Sequence, residues 1–332
     1  MSLPMAMSLA HVRLGQPAAT PSDGARPGSP LPARRSVRKQ RKYGSNAMPK
    51  HIARPAAVRL LAGIATAGCL VPLLGACGAS YPVTSPKAAR DAAKSVPSAP
   101  AVTGRAGTGI GAAPGATALA AGRPGAVDCR KVKCVALSFD AGPSQYTPQV
   151  LKTLAKYHAH ATFMTLGKNH VLKHPDLVRQ EAAAGMEIGN HTWTHQILTK
   201  IKPAEAREEL KLNQDAVKKI TGKAPTLMRP PQGRTDENVT KICRELGLSQ
   251  VLWSVTAKDY KTKDSAVIEQ RVLDQTRRDG IILLHDIYPG TAPALPGILS
   301  ALDKKGYTVV TVSQLIWPAK PKPGEVYRPD KP

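Results

Sequence analysis

The chain has 332 residues, with 47 Lys and Arg against 23 Asp and Glu, and a formal net charge of +24. A hydrophobic content of 42% excludes a wholly disordered polymer, and a single short apolar run excludes a polytopic membrane protein. The charge divides near residue 126 into +14 before and +10 after. The Ala, Gly, Pro, Ser and Arg-rich first part cannot build a packed core, which leaves one domain of about 200 residues.

Residues 1–47 form a basic extension containing Arg34, Arg35, Arg38, Lys39, Arg41 and Lys42. Taken alone, that cluster is the signature of a nucleic-acid arm. Just ahead of an export signal it reads as an extended n-region, or as sequence upstream of a true start at Met48, and no nucleic-acid partner is expected. Residues 48–77 have the layout of a signal peptide, with Lys50, Arg54 and Arg59 ahead of an apolar run from Leu60 to Ala76. The run closes in Leu74-Gly75-Ala76-Cys77, which resembles the lipobox of bacterial lipoproteins. That resemblance implies lipidation at Cys77 and a place on the outer face of the cell membrane; an uncleaved anchor or a plain secretory signal is the alternative, and each exports the rest. Residues 78–126, rich in Ala, Pro and Gly, read as a flexible tether.

The folded domain is expected over residues 127–317, followed by a Pro/Lys-rich tail over 318–332. It starts with Cys129 and Cys134, which read as a disulfide in an oxidising compartment, with a metal clasp as the competing reading. Cys243, in a helical pattern, reads as a buried small residue. Strands are expected at Val135–Asp140, Ala161–Leu166, Glu187–Asn190, Thr226–Arg229, Gln250–Val255, Ile281–Leu284 and Tyr307–Val312. Helical periodicity separates them at Pro148–Tyr157, Pro175–Ala184, Pro203–Ile220, Glu237–Leu246, Ser265–Arg278 and Pro293–Lys304. Such alternation implies parallel strands with helical crossovers. Asp140, His191, Arg229, Asp259 and His285 each fall at or just past the C-terminal end of a different strand. Convergence of many strand ends favours a distorted TIM-like (β/α) barrel of about seven strands over an open sheet with one switch point.

The densest chemical signal is His191-Thr192-Trp193-Thr194-His195, two imidazoles spaced to converge on one ion. Taken alone, the pair is as readily two surface or capping histidines. Asp140 ends an apolar strand before Gly142-Pro143, where it either faces a mouth or caps the turn. Arg229 precedes two prolines that stiffen the backbone toward Gln232, or it sits in a surface turn beside any nearby acid. His285 follows a fully apolar strand, as a proton donor in a cleft or as a buried histidine with its partners satisfied.

In order, FDAGP, HTWTH, RPPQG, WSVTAKDY and LLH resemble the five motifs of the polysaccharide deacetylase family (NodB homology, carbohydrate esterase family 4), over roughly Val135 to Val312. The resemblance implies a distorted (β/α) barrel and a divalent metal, usually zinc, that activates water against the N-acetyl carbonyl of a sugar. It implies that Asp140 is the general base, that His191 and His195 are metal ligands, and that Arg229 orients the base. The Gln232 main-chain N–H takes the place of the oxyanion donor, His285 that of the general acid, and Asp259 that of the carboxylate tuning it.

Three departures stand out. Ala141 replaces the second Asp of the first motif, the usual third protein ligand, so Asp140 is itself a candidate for the metal shell. Thr256 and Tyr260 replace the first Asp and the Trp of the fourth motif, and Gln232 replaces the Tyr of the third. The expected function is metal-dependent removal of N-acetyl groups from a cell-wall polysaccharide, with peptidoglycan ahead of chitin oligomers or acetylated xylan. The alternative is a catalytically impaired glycan-binding protein.

Overall fold

The computed structural model describes residues 81–93 and 126–330. The basic extension, the signal and Cys77 lie outside the described residues.

The first described segment forms β1 (Val83–Thr84) and α1 (Pro86–Ala92). The next elements are β2 (Lys133–Asp140), α2 (Thr147–Lys156), β3 (Thr162–Thr165), α3 (Pro175–Ala183), β4 (Glu187–Asn190), α4 (Pro203–Thr221), β5 (Leu227–Met228) and α5 (Glu237–Glu245). The chain continues through β6 (Ser249–Val251), β7 (Val255–Thr256), α6 (Ser265–Gln275), β8 (Ile281–His285), α7 (Thr291–Lys304), β9 (Tyr307–Val310), α8 (Val312–Ile316) and β10 (Val326–Tyr327). Pro occupies the first turn of α2, α3 and α4, where its missing N–H breaks no helical bond. Gly222 closes α4 in the left-handed region at φ 77°.

All strand pairs are parallel, in the order β1-β10-β6-β5-β4-β3-β2-β8-β7, with β9 also on β2. The sheet cannot be flat. β6 and β7 are six strand spacings apart along that order, roughly 29 Å in a flat sheet. Residues 252–254 alone connect them and span about 14 Å at full stretch. The sheet therefore curls, as in the distorted TIM-like barrel, and all strand C-termini open at one end.

β2 shows the pleat that builds the interior. Val135, Leu137 and Phe139 pack outward with Leu154, Ile268, Leu295 and Ile298 of the helices. Cys134 and Ala136 point the other way, against Met164, Leu227, Val251 and Ile281. Ser138 and Asp140 continue that inward face, so the top of the interior is polar. Cys129 and Cys134 form a disulfide at the start of β2, and Cys243 is a free, buried thiol.

Among the described residues ten strands stand where about seven were expected. The stretch Gln250–Val255 breaks into β6 and β7, because Leu252–Ser254 turn the chain from one partner strand to another. β1 and β10 are the other two, and they correct the domain bounds: part of the expected tether and part of the expected tail belong to the sheet. Two-residue strands carry no periodicity to read. They are held by distant pairing, Val326 N–H donating to Pro82 O (3.0 Å) and Arg328 N–H to Thr84 O (3.0 Å). Arg90 of α1, 2% exposed, anchors the segment by donating to both oxygens of Asp279 (2.7 and 3.1 Å).

Candidate active site

Asp140 ends β2 and is 2% exposed; Arg229 follows β5 and is fully buried. Arg229 Nη1 donates to Asp140 Oδ1 at 2.6 Å and to Ser138 Oγ at 2.9 Å, while Nε donates to Val251 O at 3.0 Å. Acceptors on two strands, β2 and β6, thus fix one guanidinium, and the guanidinium fixes one oxygen of the carboxylate. The Trp253 ring lies 5.7 Å from it, and Nη2 has no hydrogen-bond partner among the described residues.

His191 follows β4. Its Nδ1 lies 2.8 Å from Arg229 O; a carbonyl only accepts, so Nδ1 carries the proton and Nε2 keeps its lone pair. Nε2 faces Asp140 Oδ2 at 3.9 Å, the oxygen that Arg229 leaves open. Burial drives the His191 pKa down to about 4 against the nearby Asp140 charge, so the ring is neutral at pH 7. The His195 ring lies 4.9 Å away, edge toward it, and burial lowers its pKa too.

The loop carrying both histidines is held by residues the sequence reading missed. Glu209 of α4 accepts from Trp193 N–H (3.0 Å), Thr194 N–H (2.7 Å) and Thr194 Oγ1 (2.5 Å). Asn213, one turn on, donates to Thr165 O, Asn190 Oδ1 and Thr192 O. These bonds stabilise left-handed backbone at Thr192 (φ 71°) and His195 (φ 67°). The legible signal is two polar residues on the buried stripe Ala206, Glu209, Leu210, Asn213, Val217.

On the other side of the mouth, His285 ends β8. Its Nδ1 donates to Asp259 Oδ1 (2.8 Å), its backbone N–H to Asp259 Oδ2 (2.7 Å), and Thr291 Oγ1 donates to that same oxygen (2.7 Å). Burial pulls the imidazole pKa down, but the bond to Asp259 and its charge outweigh it and raise the net value. Asp259 follows β7 in a single 3₁₀ turn and is buried. Tyr260 and Tyr288 place their rings 6.0 and 5.3 Å from His285.

The remaining motif residues line the rim. Ala141 is nearly buried and adopts φ 67°. Gly142 follows because a Cβ there would stand 2.2 Å from Asp286 Oδ1. Asp286, fully buried with that oxygen unpartnered, has its pKa pushed up to about 6 by burial. Gln232 lies in the turn Pro231–Gly233 at φ 58°. Gly233 packs against Trp253, where a Cβ would come within 2.9 Å.

The donor chemistry at the mouth is that of a zinc-type shell, with two neutral imidazoles and one free carboxylate oxygen. Beyond that carboxylate oxygen, position 141 adds no donor, since it carries a methyl. Among the described residues no three His, Cys, Asp or Glu side chains stand close enough to form a metal group.

Parallel strands with a carboxylate–arginine pair facing a carboxylate–histidine pair at their C-terminal ends define a (β/α) barrel with a polar mouth. The polysaccharide deacetylase pattern matches residues 128–251. A peptidoglycan-N-acetylglucosamine deacetylase from Bacillus cereus is 36% identical over 194 residues, 55% of this chain and 71% of that protein. The peptidoglycan-N-acetylmuramic acid deacetylase PdaC of Bacillus subtilis is 39% identical over 184 residues, 55% of this chain and 38% of the relative. This chain thus spans well under half of PdaC. The solved structure of a T48 deacetylase with substrate is 36% identical at a TM-score of 0.58, covering 61% of this chain and all of the other. The chain belongs to the polysaccharide deacetylase family.

Proposed function

We propose that the protein hydrolyses N-acetyl groups of a cell-wall glycan, with peptidoglycan as the first substrate and chitin oligomers or acetylated xylan as further ones. The reading extends to its address: exported by the signal over residues 48–77 and held at the outer membrane face through Cys77. The observation that carries the chemistry is the pairing of two held groups across one mouth: Asp140 held by Arg229, and His285 held by Asp259.

Amide hydrolysis needs a base for water, charge stabilisation on the acyl oxygen and a proton for the amine. Asp140 takes the water proton through Oδ2, the oxygen free of Arg229, as the water oxygen bonds to the acyl carbon. The Gln232 N–H donates to the acyl oxygen. The C–N bond breaks as His285, its Nδ1 engaged by Asp259, delivers a proton from Nε2, giving acetate and a free amine. His191 and His195 would hold a divalent ion, zinc by donor type, and such an ion would polarise an acyl oxygen and acidify water, while Asp140 Oδ2 stays free to act as the base.

Acetate release from peptidoglycan fragments, chitin oligomers and acetylated xylan, measured with zinc supplied and again with chelator, tests this reading. Release that chelator stops is expected; no release from any of the three by zinc-loaded protein would refute it. Ala141 favours a second reading, a glycan-binding protein with an impaired centre, for which the same assay would show binding without acetate.

A further inference from the structure

We propose that the end of the sheet where the strands begin, opposite the mouth, is the face the protein turns toward an anionic membrane surface. This rests on the proposed attachment of the chain at or before Cys77.

The first observation is the route of the chain. β1 runs parallel to β10 and β6, and Pro82 O accepts from Val326 N–H, level with the starts of β5 and β6. The chain therefore joins the fold at the strand-start end, while Asp140, His191, Arg229 and His285 lie at the strand C-termini. Only residues 78–82 separate Cys77 from Val83. Five residues reach at most roughly 18 Å, whereas a free 49-residue tether would wander about 38 Å. A leash this short brings the strand-start face to the bilayer and directs the mouth toward the wall.

The second observation is charge. Lys131 and Lys133 sit at the start of β2, Arg277 and Arg278 precede β8, and Lys304 and Lys305 precede β9; all six are exposed. These strands are neighbours, with β2 between β8 and β9. Lys133 Nζ donates to Lys305 O (3.2 Å) and Arg278 Nη2 to Cys129 O (2.9 Å), so the cations form one patch. Lys87 of the docked segment shares a hollow with Arg277 and Arg278. Of the acids around the patch, Asp91 is paired with Lys87, Asp128 with Arg130 and Asp279 with Arg90, leaving Asp303 and Asp330 exposed against six exposed cations. A patch of this sign fits phosphatidylglycerol-type headgroups, whose attraction for Lys and Arg acts within a Debye length.

The test uses the full chain in phosphatidylcholine–phosphatidylglycerol vesicles carrying a lipid-borne quencher, with a fluorescent amino acid at Lys304 or at exposed Leu172 beyond β3. Quenching at position 304 about threefold stronger than at 172 is expected. The difference should shrink with R277E/R278E/K305E, which removes the charge, and with Thr84→Pro plus Arg90→Ala, which turns the leash back into a tether. Acetate release should hold in both. Equal quenching, a difference insensitive to both variants, or one that persists in pure phosphatidylcholine would overturn the proposal. So would displacement of position 304 from the bilayer by soluble glycerol-phosphate polymer, which would assign the face to the wall. Recovery of the chain in the soluble fraction of cells, with acetate release intact, would remove the anchor reading and this proposal while leaving the deacetylase reading standing.

Discussion

Arg229 and Asp140 meet at 2.6 Å from two strands that are not neighbours, β5 and β2, and both are buried. The curl of the sheet makes that contact possible, and the contact fixes which carboxylate oxygen faces the histidines. Removing the cation leaves an unpaired buried charge, a loss of about 3–5 kcal/mol in comparable cases. Arg229→Met is therefore expected to lower unfolding free energy by that order in urea titrations, and to lose activity well beyond the loss of folded protein. An Arg229→Met protein of unchanged stability would show that the pair is not what holds Asp140.

Asp259 sets the proton affinity of His285 through the Nδ1 bond. Asp259→Asn removes the charge and keeps the shape. With the charge gone, burial dominates, the imidazole pKa falls, and the protonated acid is lost at lower pH. The alkaline limb of kcat against pH should move toward acid. A limb that stays in place would exclude His285 as the group titrating there.

Asp286 is a carboxyl whose folded pKa, about 6, lies above its unfolded value near 3.8. Between those values the folded state binds more protons, so its stabilising contribution is full below about pH 3.8 and is lost as pH rises through 6. At about 1.4 kcal/mol per pH unit, roughly 3 kcal/mol is at stake by pH 7. Asp286→Asn, which still accepts from Thr147, is expected to be more stable than the parent at pH 7.5 and to lose that advantage near pH 4, read by denaturant midpoints at the two values. A midpoint difference that does not change with pH would contradict this.

Position 141 decides the ion. With two imidazoles and no carboxylate to spare from the base, zinc is expected below one equivalent after purification. Ala141→Asp adds the missing donor, although its left-handed backbone strains any residue with a Cβ. Zinc content by mass spectrometry should rise in the variant. Full zinc in the parent would show that three protein donors are not required.

Much of the barrel was legible because each long strand and helix declares its period locally: β2, β4 and α4 fall within two residues of expectation. What escaped was non-local. β1 and β10 are two residues each and exist through pairing with distant chain, β1 with β10 more than 200 residues on and β10 also with β6. The site residues were legible as types at strand ends, since Asp140, His191 and His285 follow apolar runs. Their supports were legible only as polar residues on the apolar stripe of a helix: the spacing of Glu209 and Asn213 places them inward, but nothing local says which loop they hold.

The measurement that tests the central claim most directly is acetate release from N-acetylated peptidoglycan fragments by zinc-loaded protein, with Asp140→Asn and His285→Ala beside it. The account requires release by the parent and a fall of about 10²–10⁴-fold in each variant, the range for general acid–base groups. No release by the parent, or equal release by the variants, would contradict it.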